Sequence, residues 1–158
     1  MIPSFPRPTA PQSTYCKALA THFEAIHRPA HIVNLDPAAE AFDYPVSVDI
    51  RDMIQLDDVM DELGLGPNGG LIYCMEYMVK NFSWFEDQID DYSDDYLVID
   101  CPGQIELYTH LPVMRTFVSN LKRMGYQMCA VYLMDSFLIT DPTRYVAVSA
   151  PLKTERIC

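Results

Sequence analysis

Basic side chains are scarce in this 158-residue chain: eleven Lys and Arg stand against twenty-two Asp and Glu, a net charge of −11. A nucleic-acid binder needs a cationic face for the phosphates, so direct nucleic-acid binding is excluded, and an anionic membrane surface would repel the chain. No apolar stretch approaches the ~20 residues of a spanning helix. The opening MIPSFPRPTAPQ has no apolar signal-peptide core. The five cysteines (Cys16, Cys74, Cys101, Cys129 and Cys158) form no C-x-x-C pair and no metal-like His/Cys spacing. Odd in number and dispersed, they read as reduced thiols of an intracellular protein. No Ser-His-Asp or Cys-His arrangement emerges from the spacing, and no internal repeat. These absences leave a soluble protein, cytoplasmic or nuclear.

What is present suits one domain: 49% hydrophobic and 21% charged residues at a length that can bury a real core. Pro3, Pro6, Pro8 and Pro11 make residues 1–12 an extended arm rather than a central strand. A helix is expected from Ser13 or Thr14, carrying Cys16, Leu19, Phe23 and Ile26, and ending by Arg28 because Pro29 follows. His31–Leu35 reads as a strand that opens into a turn or helix start at Asp36-Pro37, and Val46–Ile50 as a second extended piece. Arg51–Leu63 reads as a helix. After the turn cluster Gly64–Gly70, apolar residues from Leu71 to Ile89 recur at helical spacing, predicting one long amphipathic helix. Tyr96–Asp100 is the clearest strand, apolar throughout as in a parallel sheet covered on both faces. A helix from about Pro112, bearing Met114, Phe117, Leu121 and Met124 and closed by Gly125, precedes a last strand from Met128 to Met134. Strands alternating with helices imply a layered α/β fold with a mostly parallel sheet.

Three places can carry chemistry. Asp100, ending a buried strand and opening into Cys101-Pro102-Gly103-Gln104, is suited to a nucleoside-triphosphate site. A carboxylate at the sheet's carboxyl edge can hold magnesium, and Gly103 lets the backbone approach a γ-phosphate. An ordinary Pro-Gly turn after a strand remains the alternative. Asp36 either orients a water near such a metal or caps a helix with Pro37 at its first position. Gly66-Pro67-Asn68-Gly69-Gly70 either presents backbone amides to an anion or is a turn with Asn68 as the cap. The acidic run from Glu86 to Asp95 lacks the glycine and spacing of a calcium loop and reads as a solvated surface, and His110 as a turn histidine.

Taken in order, NLDPAAE at 34–40, GPNGGLIYCMEY at 66–77 and DCPGQIELYTHLP at 100–112 resemble the GPN-loop GTPases. CMEY, NFSWFED and IELYTHLPVM point to the GPN-loop GTPase 3 branch. The resemblance covers about Ser13 to Thr143 and divides the chain into a proline-rich arm (1–12), a partial GTPase domain (13–145) and a tail outside the pattern (146–158). It implies a P-loop NTPase-like fold, GTP with Mg²⁺, and a homodimer or heterodimer of related subunits. It also implies a place in the assembly and nuclear import of RNA polymerase II, with RNA polymerase II subunits as partners and a cytoplasmic protein shuttling to the nucleus. By the same resemblance Ser13 and Asp100 serve the metal, and Ser13, Thr14 and Gly103 bind the nucleotide. Asp36 stands near the attacking water, Gln104 faces the γ-phosphate, and Gly66, Pro67 and Asn68 reach into the partner's site, where Asn68 stabilises the phosphate; Asp36, Gln104 and Asn68 are the catalytic set.

The family pattern places a strand and a Gly-rich loop ending in Gly-Lys-Ser-Thr before the Tyr-Cys helix. Here RPTAPQ precedes Ser13-Thr14-Tyr15-Cys16, and the guanine-reading T/N-K-x-D element and later helices have no counterpart. The expected fold is therefore incomplete, with first strand and C-terminal part missing, as a splice variant or altered gene model would give. The resemblance implies a chain that binds and hydrolyses GTP as a dimer; the alternative, for a chain so altered, is a nucleotide-incompetent dimerisation or binding module.

Overall fold

The computed structural model describes residues 11–104, 106–109 and 111–133. Helix α1 (Pro11–Ala25) leads to strand β1 (Ala30–Asn34), then β2 (Val48–Asp49) and a 3-10 turn (Ile50–Asp52). Helices α2 (Leu56–Leu63), α3 (Pro67–Lys80) and α4 (Phe82–Ile89) follow, then a 3-10 turn (Asp90–Tyr92), β3 (Tyr96–Asp100), α5 (Glu106–Thr109) and α6 (Val113–Arg123). The strands form one parallel sheet in the order β2-β1-β3. Register pairs Asn34 with both Asp49 and Asp100, so the three strands end level at one edge.

Period-two alternation sends the side chains of the sheet to two apolar layers. Val33, Leu97 and Ile99 face the main core, built on Leu71, Met75, Met78, Phe82, Phe85, Ile89, Phe117 and Leu121 of the later helices. Ile32 and Val98 face a smaller cluster with Cys16 and Ala20 of α1 and with Phe42, Tyr44 and Val46. Covering both faces is why Ile32-Val33 and Leu97–Ile99 are apolar in succession rather than alternating. Phe85 and Phe117 meet edge to face at 5.2 Å and join α4 to α6.

Several boundaries differ from those expected. Helix α1 starts at Pro11, so the arm's last two residues are helical; proline at a first helical position sacrifices no bond. It ends at Ala25, and His27 (φ 53°) turns the chain ahead of Pro29. The expected extended piece Val46–Ile50 contracts to Val48–Asp49, because Asp49 accepts the Arg51 N–H and winds Ile50–Asp52 into a 3-10 turn. That turn also takes the first residues of the helix expected from Arg51, which begins only at Leu56.

The long helix of 71–89 is two helices broken at Asn81. The Asn81 N–H makes the last helical bond to the Tyr77 carbonyl at 3.0 Å, and its side-chain nitrogen donates to the same carbonyl at 2.9 Å, a local alternative that competes with helix continuation. No helix follows Asp36-Pro37; the Asp36 carboxylate instead accepts the Ala38 N–H at 2.9 Å and forms a turn. Residues 128–133 of the last expected strand are irregular, with Val131 56% exposed. A strand needs a neighbour to pair its backbone, and among the described residues none runs beside the outer edge of β3. Met134, Ile105, His110 and the boundary near residue 145 lie outside the described residues.

Helix α6 matches expectation, with Met114, Phe117 and Leu121 buried and Gly125 at φ 98° just beyond its end. Met124, by contrast, is exposed. Most of the acidic run is solvated, while Glu86 pairs with Arg123 at 3.9 Å and Asp95 with His31 at 3.0 Å. Among the described residues no three or more His, Cys, Asp or Glu side chains stand together as a metal-holding group.

Candidate nucleotide and metal site

Because the strands end level, their last residues converge at the sheet's carboxyl edge, where open parallel sheets bind ligands. Asp100 is buried there, and its Oδ2 accepts two hydroxyls: Ser13 at 2.9 Å and Tyr44 at 2.5 Å. Ser13 arrives from the first turn of α1, which packs across β1 and β3. Beside Asp100, the fully buried Asn34 donates to the Asp36 carbonyl (3.0 Å) and to Asp49 (2.9 Å), and accepts the Asp36 N–H at 3.0 Å. An amide at this place satisfies both turn and strand end, which an apolar side chain would leave unpaired.

Arg51 closes the adjoining side. Its Nε and Nη2 grip both oxygens of Asp49 (2.6–3.0 Å), its Nη1 donates to the Ala39 carbonyl at 2.7 Å, and its guanidinium lies 4.7 Å from the centre of Phe42. Burial alone would raise the Asp49 carboxyl, but the Arg51 fork, the Arg51 backbone N–H and the Asn34 amide hold it below the ordinary carboxylate value. Asp36 behaves oppositely. Partial burial and the negative charge of Asp100 raise it, outweighing the Ala38 N–H and Arg51. A carboxylate forced to carry charge in a desolvated place is a common sign of a functional position.

This shift has a measurable consequence. The folded chain holds the Asp36 proton more tightly than the unfolded one, so stability falls as pH rises from the ordinary value of 3.8 through the raised one. The cost is fully present at neutral pH. Asp36→Asn keeps an oxygen for the Ala38 N–H and removes the charge. It is expected to raise the unfolding temperature at pH 7. The difference from the parent should shrink as pH is lowered below the ordinary carboxylate range. A variant less stable than the parent at neutral pH would contradict the electrostatic account.

The turn after β3 is held by the Tyr108 hydroxyl, which donates to the Pro102 carbonyl at 2.6 Å. Gly103 is exposed and has no left-handed backbone; a Cβ there would lie 3.2 Å from the Gln12 amide nitrogen, the end of a flexible side chain that can give way. The Gln104 Oε1 is buried without a hydrogen-bond partner, a polar atom held in place with nothing to accept from. Burial pushes the Cys16 and Cys101 thiols up to about 12 and Cys74 to about 11, so all three stay protonated and none is poised as a nucleophile.

The structure thus brings Ser13, Asp36, Asp100 and the Gly103-Gln104 turn to one edge. Thr14 lies on the exposed side of α1. Gly66 caps α3, Pro67 is its first residue and Asn68 stands in its first turn, so Asn68 is not the cap. All three are exposed, and among the described residues no hydrogen bond joins Asn68 to Ser13, Asp36 or Asp100. Sequence reasoning missed Tyr44, Asn34 and the Asp49–Arg51 pair. Only the close spacing of Asp49-Ile50-Arg51-Asp52 offered a signal for the last of these; nothing in spacing marks Tyr44.

The donor set fits a magnesium ion. A carboxylate with a hydroxyl on it supplies hard oxygen ligands, and Mg²⁺ takes few such protein ligands while keeping several waters. The Ser13–Asp100 contact also has the pairing by which P-loop enzymes hold their metal.

Residues 9–155 match a family model described as a conserved hypothetical ATP binding protein. The chain is 56% identical over 136 residues to GPN-loop GTPase 3 of Dictyostelium discoideum, covering 86% of this chain and 48% of that protein. It is 50% identical over 137 residues to GPN-loop GTPase 3 of Saccharomyces cerevisiae, covering 86% and 50%. The chain therefore spans about half the length of these curated relatives. Its fold is similar to that of a GTPase crystallised in apo form from Pyrococcus abyssi, with a TM-score of 0.68 at 23% identity, covering 87% of this chain and 57% of that one.

Proposed function

The chain belongs to the GPN-loop GTPase family, and from that premise we propose that it binds GTP with Mg²⁺ and takes part in GTP hydrolysis as a homodimer or heterodimer with a related subunit. The observation that carries this reading is the Ser13–Asp100 contact of 2.9 Å at the carboxyl edge of the parallel sheet. Ser13 and Asp100 would hold the metal, which when bound offsets charge on the β- and γ-phosphate oxygens. Asp36, the other carboxylate at this edge, would orient the attacking water. Gly103 and Gln104 would face the γ-phosphate, the buried Gln104 Oε1 being an acceptor for the attacking water rather than for the anion. Thr14, exposed beside Ser13, would bind the nucleotide as well. Gly66, Pro67 and Asn68 are exposed at the start of α3 and would reach into a partner's site, where Asn68 would stabilise the phosphate. The cellular role that accompanies this activity is the assembly and nuclear import of RNA polymerase II, with polymerase subunits as partners in the cytoplasm and nucleus.

A second reading has its own observation. The Gln12 amide nitrogen stands 3.2 Å from where a Gly103 Cβ would lie, and RPTAPQ supplies no lysine before Ser13. On that reading the chain pairs with a relative without binding nucleotide itself.

Thermal unfolding with and without excess GTP and Mg²⁺ separates the two. Ligand at about a hundred times its Kd adds about 2.7 kcal/mol, a rise of roughly 5–10 °C for a chain of this size. A rise of that order supports the nucleotide site. An unmoved transition favours the partner-binding reading.

A further inference from the structure

The hydroxyl of Tyr44 makes the shorter of the two hydrogen bonds to Asp100, 2.5 Å against 2.9 Å from Ser13, and nothing in the sequence singles this tyrosine out. Its ring is buried with Cys16 and Ile32 and lies 5.4 Å from Phe42. The ring is thus fixed by packing while its one polar atom is spent on the carboxylate. Tyr44 also sits on the connection between β1 and β2, the segment that carries Asp36. Arg51 grips that segment at the Ala39 carbonyl, and Tyr44 ties it to β3.

We infer that Tyr44 is a positioning residue for the metal-holding carboxylate: its hydroxyl and that of Ser13 converge on one oxygen of Asp100 and fix the carboxylate's rotation, while its backbone carries the Asp36 segment to the same edge. The inference rests on the magnesium site proposed above. A carboxylate that binds a metal is itself oriented by hydrogen bonds from its neighbours, and losing such a neighbour typically costs about 10–100-fold in metal affinity. Ser13 alone would leave Asp100 one donor and a freer rotation. Tyr44→Phe removes the hydroxyl and keeps the ring in its cluster.

The test is a titration of Mn²⁺, standing in for Mg²⁺, into the full chain with GTP, free Mn²⁺ being read by electron paramagnetic resonance. Val46→Ala serves as comparator: it loosens the same small cluster without touching the hydroxyl. Tyr44→Phe is expected to weaken Mn²⁺ binding by about 10–100-fold. Val46→Ala is expected to lower the unfolding temperature and leave Mn²⁺ binding within about twofold, as a change that acts only on packing should. Unchanged binding in Tyr44→Phe would overturn the inference and leave the magnesium site standing. Equal weakening in both variants would overturn it too, in favour of a packing role. If the parent chain captures no Mn²⁺, the magnesium site itself fails, and the role assigned to Tyr44 falls with it.

Discussion

Phe85→Ala should lower the stability of the chain by about 3–5 kcal/mol, more than any other single truncation argued here. Phe85 has no exposed surface, stands edge-on to Phe117 at 5.2 Å and tilted on Phe82 at 5.5 Å, and so joins α4 to α6 in the main core. Removing the ring takes away its apolar burial and both ring contacts, and leaves a cavity that the two helices close only partly. Against a typical margin of about 5–15 kcal/mol, much of the stability goes. The expected fall in unfolding temperature is roughly 6–20 °C. Ile26→Ala is the control: Ile26 is 51% exposed just beyond α1, and its truncation should stay within about 0.5 kcal/mol. Similar shifts for the two variants, followed by circular dichroism, would contradict the placement of the core.

Asp100→Asn should abolish the response to GTP and Mg²⁺ while costing only moderate stability. The carboxylate accepts the Ser13 and Tyr44 hydroxyls, and hydrogen bonds to a charged acceptor contribute about 1.5–3 kcal/mol each. An asparagine oxygen keeps part of this and relieves the repulsion that raises Asp36. The net loss should therefore be smaller than for Phe85→Ala. The metal has no such substitute, since a neutral amide oxygen is a poor ligand where a carboxylate held the ion. In the thermal-shift experiment the 5–10 °C rise expected of the parent should vanish, a coupling loss of about 2.7 kcal/mol at a hundred times Kd. A variant that keeps the full rise would place the metal elsewhere.

How far the sequence could be read depends on the kind of interaction behind each feature. The strand Tyr96–Asp100 was legible to the residue, because a run apolar on both faces admits few other homes. Helix α6 was legible because its stripe of Met114, Phe117 and Leu121 repeats without interruption. The break at Asn81 was not, since the apolar stripe from Leu71 to Ile89 runs through it; a single side-chain bond to Tyr77 decides it. The short β2 and delayed α2 turn likewise on one carboxylate, Asp49, folding back on Arg51. The expected strand near Met128 has the right residues, yet pairing requires a neighbour, and local pattern carries no information about one.

In the site the same division holds. Asp100 ends β3 and Asp36 stands two residues past the end of β1, and such strand ends can be read from a one-dimensional pattern. Tyr44 reaches Asp100 across 56 residues through a loop with no periodicity. Asn34 looked like an ordinary strand residue, and only the sheet's edge shows why an amide is required there.

The level strand ends also bear on the order in which the chain folds. Tyr44 meets Asp100 across 56 residues and Ser13 meets it across 87, whereas α3 and α4 are sequence neighbours that can pack early. Closing long loops costs entropy before any contact rewards it, so non-local pairings form slowly. Partly folded chains would then hold the helical core before they hold Ser13, Tyr44 and Asp100 together. A ligand selecting that trio would act on the final step alone, slowing unfolding more than it speeds folding.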